Sequence, residues 1–343
     1  MRSWSPPASR HTSSTDCAAR CGRPSAWGDT LEEKLGEGGM GTVYRARHAL
    51  LRRRAAIKLV RPAGELGAAD RATALQRFER EANATAGLRS PHTIELYDFG
   101  IAADGAFYYV MELLDGITLD AAVTRFGPMP PARVVHLLLQ ACDSLEEAHA
   151  AGLVHRDIKP ANLFVCRYGL RDDFVKVLDF GLVAAAPDRA STDARLTADH
   201  VTAGTPTYLA PESVTRPDQV DGRADIYGLG GVAYWLLTGR PPFERPTAMA
   251  TILAHVNDAP VPPSAAAGTA IPPGLEELVL DCLAKDPAHR PASAGALAAR
   301  LRQLFVGTWS QADAARWWAA HPPAAPAGPL APAGEATVTV VRA

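Results

Sequence analysis

His155-Arg156-Asp157-Ile158-Lys159-Pro160-Ala161-Asn162, followed seventeen residues later by Asp179-Phe180-Gly181, is the stretch that decides the reading of this 343-residue chain. Asp157 offers a carboxylate that can accept the proton of a hydroxyl. Lys159, two residues on, alternates to the same side of an extended loop and can neutralise negative charge developing beside it. Asn162 and Asp179 offer hard oxygen atoms of the kind that hold Mg²⁺. Asp-x-Lys-x-x-Asn alone arises easily by chance. Its meaning depends on the strand-like FVKVLDFG that follows and on what the rest of the chain supplies.

Upstream, Leu35 introduces Gly36-Glu37-Gly38-Gly39-Met40-Gly41-Thr42-Val43, a G-x-G-x-x-G-x-V pattern. Dinucleotide-binding folds use similar glycines, but there a helix follows. Here the strand-like TVYRARH follows, so the glycines form the tip of a β-hairpin over which backbone N–H groups can approach phosphate oxygens. A plain glycine-rich hairpin is the alternative. Fifteen residues beyond Val43 comes Ala56-Ile57-Lys58 in the next strand. A strand lysine beside such a hairpin can hold phosphates if a carboxylate steadies it. Residues 68–88 read as an amphipathic helix. Its Glu81, between the apolar Phe78 and Ala82, is the preferred partner over Glu79, and an exposed salt-bridged helix is the alternative for both.

These motifs occur in the order of the protein kinase family, over residues 28–305, and the chain resembles a Hanks-type kinase of the bacterial Ser/Thr branch. The resemblance implies an α+β, two-lobed fold: a small antiparallel β-sheet lobe with one main helix (28–113) and a larger, mostly helical lobe (114–305). It implies ATP and Mg²⁺, with Mn²⁺ as a substitute, and transfer of the γ-phosphate to Ser/Thr hydroxyls of proteins. Asp157 would be the base, Lys159 the charge neutraliser, and Asn162 and Asp179 the metal ligands. The Leu35–Val43 loop and Lys58, steadied by Glu81, would hold the phosphates. Met111 resembles the gatekeeper, and Glu112 to Leu114 the hinge. Val43, Ala56 and Leu163 resemble the apolar sandwich around adenine. Glu212 of Ala210-Pro211-Glu212 would pair with Arg290, and Asp225 would hold the catalytic-loop backbone. Gly204-Thr205-Pro206-Thr207-Tyr208-Leu209 matches the Ser/Thr form, in which Thr205 bonds Asp157 and Lys159. Gly228 and Gly231 in DIYGLGGVAYWL depart from the family pattern, at positions expected not to touch the chemistry.

Composition agrees with a soluble, cytoplasmic enzyme. Apolar residues make up 47% and charged residues 21%, and a net charge of -2 gives no reason to expect nucleic acid or an anionic membrane as partner. Five scattered cysteines argue against a disulfide framework, and no apolar run reaches the length of a membrane span. Only five of the 35 basic residues are lysines, and Lys58 and Lys159 are two of them. Where arginine is the default cation, a retained lysine marks a place that needs a compact ammonium.

Residues 1–27 read as a disordered arm, and 306–343 as a short Trp-rich helix followed by an Ala/Pro-rich tail. Ser310 with Asp313 resembles a capping box, and Trp309, Trp317 and Trp318 point to docking of that helix on the larger lobe. The unpatterned segment 182–209 carries Thr197 and Thr202, near where relatives accept an activating phosphate. Arg156, expected to be buried or half-buried, would be the phosphate's partner, and a transient homodimer would phosphorylate in trans. The competing classes are a pseudokinase or nucleotide-binding scaffold, which would lack Lys58, Asp157, Asn162 or Asp179, and a small-molecule phosphotransferase, which would lack the 204–212 segment.

Overall fold

The computed structural model describes residues 29–38, 41–48, 52–60, 68–102, 106–180, 206–322 and 340–341. By contacts the chain forms two compact units, Met1–Arg61 with Asp98–Leu113 and Pro326–Ala343, and Pro62–Tyr97 with Leu114–Ala325. No helix among the described residues is long and apolar enough to cross a membrane.

The first unit is an antiparallel sheet. Alternating residues make β1 (Asp29–Gly38) and β2 (Gly41–His48), and the apolar runs make β3 (Arg54–Val60) and β5 (Phe107–Glu112). With β4 (Leu96–Ala102) and a two-residue β9 (Val340–Val341), the order is β1-β2-β3-β5-β4-β9. The short β9 was not foreseen in the Ala/Pro-rich tail, although its β-branched residues favour extended backbone. Register decides what this sheet presents. Val43 lies opposite Lys58, and Ala56 opposite both Arg45 and Met111. Directly opposed residues share a face, and so do residues two apart, so Val43, Ala56, Lys58 and Met111 line one face.

In the second unit α1 (Ala68–Ala86) turns Phe78, Ala82 and Thr85 inward at helical spacing. A small sheet that the sequence reading had placed only at FVKVLDFG follows: β6 (Asp115–Thr118), β7 (Leu163–Tyr168) and β8 (Arg171–Val177), in the order β6-β7-β8. Helices α2 (Leu119–Phe126) and α3 (Pro131–Ala150) come between β6 and β7, with the Thr118 side chain accepting from the Ala121 N–H and Pro131 opening α3. After the one-turn α4 (Glu212–Thr215), α5 (Arg223–Thr238) buries every residue except Arg223 and Trp235, as expected for a helix that is apolar all round. Around it lie α6 (Ala248–Asn257), α7 (Pro263–Ala267), α8 (Pro273–Cys282) and α9 (Ala294–Arg302). The last helix, α10 (Gln311–Ala320), carries the expected capping box between Ser310 and Asp313 and packs on β8, so the Trp-rich helix docks on the larger unit.

The edge of β8 away from β7, which has no neighbouring strand in the three-stranded sheet, is occupied by side-chain amides and a neighbouring loop. Gln311 exchanges hydrogen bonds with the N–H and carbonyl of Asp172 (3.0 and 3.2 Å). Gln140 donates to the Asp173 carbonyl and accepts from the Val175 N–H (2.9 and 3.1 Å). Val177 donates to the His92 carbonyl and accepts from the Ile94 N–H (2.7 and 3.0 Å).

Glu212 and Arg290 form a buried bidentate pair at 2.6 and 2.8 Å, the pairing that the family resemblance implied. The same guanidinium donates to the Ala284, Arg223 and Lys285 carbonyls, which ties α4, α5 and the loop after α8 together. Breaking a buried pair strands its partner, so Glu212→Ala should cost about 3–5 kcal/mol in urea unfolding. Replacing both residues by apolar ones of similar volume should cost less, and the comparison measures how far the loss comes from the orphaned arginine.

A glycine is required at Gly41, where φ is +136° and an added Cβ would lie 1.9 Å from the Leu59 carbonyl oxygen. At Gly36 nothing lies within 4 Å of such an atom. Gly41→Ala should therefore lower the melting temperature clearly while Gly36→Ala leaves it near wild type, the difference being at least about 1–3 kcal/mol.

His255 is buried on α6, takes a 2.7 Å contact from the Tyr227 hydroxyl to Nδ1, and is pushed down to about 4 by burial and then by the Lys285 ammonium. A histidine whose folded value lies below its unfolded one is held neutral in the native state. Its contribution is whole above about pH 6.5 and is lost as the pH falls towards 4, by up to about 3 kcal/mol. His255→Gln should flatten the fall in stability between pH 7 and 4.5 by a comparable amount. Urea melts of both proteins across that range would show it.

Candidate active site

The loop before β7 gathers three of the residues singled out in the sequence. Lys159 Nζ donates to both carboxylate oxygens of Asp157, at 2.8 and 3.1 Å. Asn162 Nδ2 donates to the Asp157 carbonyl and to Oδ2, both at 2.8 Å. The carboxylate is thus oriented and half-buried, and one ammonium and one amide fix its plane. With its nitrogen committed to Asp157, Asn162 has its amide oxygen left for a cation. Asp179 is brought to the same end of β7–β8 by the backbone: the Leu178 N–H donates to the Asn162 carbonyl at 2.9 Å.

The loop is held from behind by a carboxylate. Asp225, 1% exposed on α5, accepts the His155 and Arg156 backbone N–H groups at 2.8 and 2.7 Å. His149 Nε2 lies 2.8 Å from the same side chain. Arg156 has φ +65° and Asp179 φ +59°, left-handed conformations that non-glycine residues keep only when the surroundings impose them. His155 ties the two loops together. Its Nδ1 accepts from the Asp157 N–H at 3.3 Å, so Nε2 carries the proton and donates to the Leu178 carbonyl at 2.7 Å. Its ring packs on Phe180 at 4.8 Å.

Two expectations need correcting. The Arg156 side chain is exposed, not buried, because its left-handed backbone turns it away from the Asp225 anchor, so it has no desolvation to repay by finding an anion. Gly228 does bear on the loop. A Cβ there would sit 2.8 Å from both the Ile158 carbonyl oxygen and its Cβ, so α5 lies directly against the residue between Asp157 and Lys159. His149, six residues before His155, was missed, and nothing in EEAHAAG marks it as the partner of Asp225.

The other candidates fall on separate elements. Leu35, Gly36, Glu37 and Gly38 lie on β1 and Gly41, Thr42 and Val43 on β2, while Gly39 and Met40 lie outside the described residues. Lys58 is 6% exposed on β3, next to buried Ala56 and Ile57. Met111 and Glu112 end β5. In the second unit Glu81 is half-buried on α1 whereas Glu79 is exposed, and Leu114 precedes β6. Leu163, at the start of β7, is buried. Thr197, Thr202, Thr205 and Gly181 also lie outside the described residues.

The donor set suits a small hard cation. Asn162 and Asp179 supply amide and carboxylate oxygen, the sparse protein coordination that Mg²⁺ takes when waters and phosphates complete its shell. Among the described residues no group of three or more His, Cys, Asp or Glu side chains is gathered as a dedicated metal cage.

The contact at Gly228 carries its own test. In a helix, Gly→Ala ordinarily gains up to about 1 kcal/mol. Here the added methyl must displace the Ile158 backbone, so Gly228→Ala should instead lower both the melting temperature and phosphotransfer. A variant more stable than wild type would show that the loop has room to move.

The model for the protein kinase domain matches residues 30–301. The chain is 40% identical over 284 residues to the serine/threonine-protein kinase pkn3 of Myxococcus xanthus, covering 82% of this chain and 51% of that one. It is 39% identical over 280 residues to PknB of Mycolicibacterium smegmatis, covering 81% and 43%. It therefore spans about half the length of these curated relatives. The kinase domain of Mycobacterium tuberculosis PknI superposes with a TM-score of 0.63 at 28% identity, over 84% of this chain and 98% of that one. The fold is the protein kinase fold, and the chain belongs to the protein kinase family, among its bacterial Hanks-type serine/threonine members.

Proposed function

We propose that this protein transfers the γ-phosphate of Mg-ATP to serine and threonine hydroxyls of proteins in the cytoplasm, its own 182–209 segment included. The observation that carries this reading is the Asp157 carboxylate, held in plane by Lys159 and Asn162 at 2.8 Å each. Asp157 takes the hydrogen bond of the incoming hydroxyl and orients its oxygen for attack. Lys159, already beside that carboxylate, offsets negative charge on the transferring group. Asn162 and Asp179 would hold the divalent cation, which would supply positive charge to offset that of the phosphate oxygens. On the first unit Lys58 holds the inner phosphates, the Leu35–Val43 hairpin covers them, and Val43 and Ala56 pack on the adenine. For Glu81 and Leu163, which belong to the second unit, the family resemblance implies the roles of steadying a lysine and of packing on the base. Met111 and the Glu112–Leu114 backbone border the base. Mn²⁺ would substitute for Mg²⁺.

Incubation with Mg-ATP and a generic protein substrate is the direct test. Asp157→Asn and Lys58→Met should each lower the rate at least about 100-fold with the melting temperature little changed, since both act on the transition state. Full activity in Asp157→Asn would remove the base assignment. Equal absence of transfer in wild type and variants would instead mark a nucleotide-binding scaffold.

Phosphate at Thr197 or Thr202 would add about two negative charges to the 182–209 segment, and Arg156 is the cation proposed to bind it. Mass spectrometry should find it in wild-type protein and not in Asp157→Asn. The Thr197→Ala/Thr202→Ala double variant should be slower, and loss of the concentration dependence of phosphorylation would argue against transfer between two transiently paired chains.

A further inference from the structure

Residues beyond the matched family region meet at one buried carboxylate. Asp173, on β8, is 0% exposed and takes four hydrogen bonds, all at 2.8 Å. Oδ2 accepts from Arg133 Nε and Trp309 Nε1, and Oδ1 from Arg133 Nη2 and Trp318 Nε1. The Arg133 guanidinium, itself 1% exposed, lies 3.7 Å from the centre of the Trp317 ring. Trp317 in turn meets Phe126 edge-on at 5.3 Å and stacks on His321 at 4.7 Å. One acid–base pair thus organises all three tryptophans of the segment, and every carboxylate lone pair directed into the protein is used.

A buried ion pair of this kind adds little stability by itself. What it fixes is geometry. Asp173 has φ +54°, a left-handed conformation near the start of β8. The strand then runs, with Gln140 and the 92–94 loop along its edge, to Val177, after which come Leu178 and Asp179. Its partner β7 begins at Leu163, next to Asn162, and Leu163 faces Val177. The hairpin therefore holds both cation-binding candidates at one end and the tryptophan cluster at the other.

We infer that segment 309–321 is a positioning element for cation binding: through Asp173 it fixes the β7–β8 hairpin and with it the spacing of Asn162 and Asp179. The inference rests on the reading of Asn162 and Asp179 as cation ligands given above. Trp309 and Trp318 act through the hairpin and touch no reacting group.

The test uses the full chain with Trp309→Phe and Trp318→Phe together, which keeps aromatic bulk and removes both indole donors. Hydrogen exchange of amides 163–177 and retention of Mn²⁺ in the presence of ATP, read from the free-ion resonance, are measured beside Leu275→Val. Leu275 is a buried α8 residue away from the hairpin, and its variant controls for lost stability. Exchange in the hairpin should quicken and Mn²⁺ affinity should fall about tenfold in the double variant, the size usual for residues that orient ligands. Leu275→Val should bind as wild type does. Faster exchange with wild-type Mn²⁺ affinity would make the segment a stabiliser only, and unchanged exchange would overturn the inference outright. If the double variant does not fold, Trp309→Phe alone carries the same comparison. Asp179→Asn separates the two levels: wild-type Mn²⁺ retention in that variant would remove the ligand reading, whatever the hairpin does.

Discussion

A single buried carboxylate organises the chemistry of this molecule without taking part in it. Asp225 accepts two consecutive backbone N–H groups, those of His155 and Arg156, and meets His149. Consecutive N–H groups point to one acceptor only if the chain turns sharply, and the turn is the left-handed Arg156. That turn delivers Asp157 to its position and frees His155 to bond the Leu178 carbonyl. Because α5 is buried along almost its whole length, the anchor sits on a helix packed on nearly every side. Strain at Arg156 and Asp179 is thus stored against a rigid support, the arrangement expected where a site must be set before its ligand arrives.

The second layer of organisation is the coupling of loops through one imidazole. His155 accepts from the residue two positions on and donates across to the segment leading to Asp179, so one ring joins the two loops. Asn162 does the same with its backbone and side chain, receiving Leu178 while donating to Asp157. Asp157, Asn162 and the backbone just before Asp179 are therefore joined by hydrogen bonds rather than being separate residues that happen to be near. Displacing any member is felt by the others.

What could be read from the sequence was the part whose geometry is local. Asp157, Lys159 and Asn162 lie within six residues, and a short loop can bring them together in few ways. The Ser310–Asp313 capping box is likewise a matter of one helical turn, and its helix formed where the residues indicated. The contacts that were missed join distant residues: His149 with Asp225, Gly228 with Ile158, Arg133 with Asp173. Asp225 was marked by the family resemblance, but its partner His149 carries no local mark, and a glycine in a buried helix or an arginine at a helix start has many uses. Arg156 was misjudged for a related reason. Its neighbours in sequence are buried, but a left-handed φ reverses the direction of its side chain, and residue type alone does not announce that.

The capped edge of β8 has a further meaning. An edge strand with open N–H and carbonyl groups is a template on which another polypeptide can add a strand. Here Gln311, Gln140 and the 92–94 loop occupy those groups from Asp172 to Val177. The three-stranded sheet is therefore finished on this side by amides that mimic a neighbouring backbone but cannot be extended by a further strand. Intermolecular β-addition along this edge of the hairpin is blocked from within the chain, so the sheet ends in the protein's own side chains.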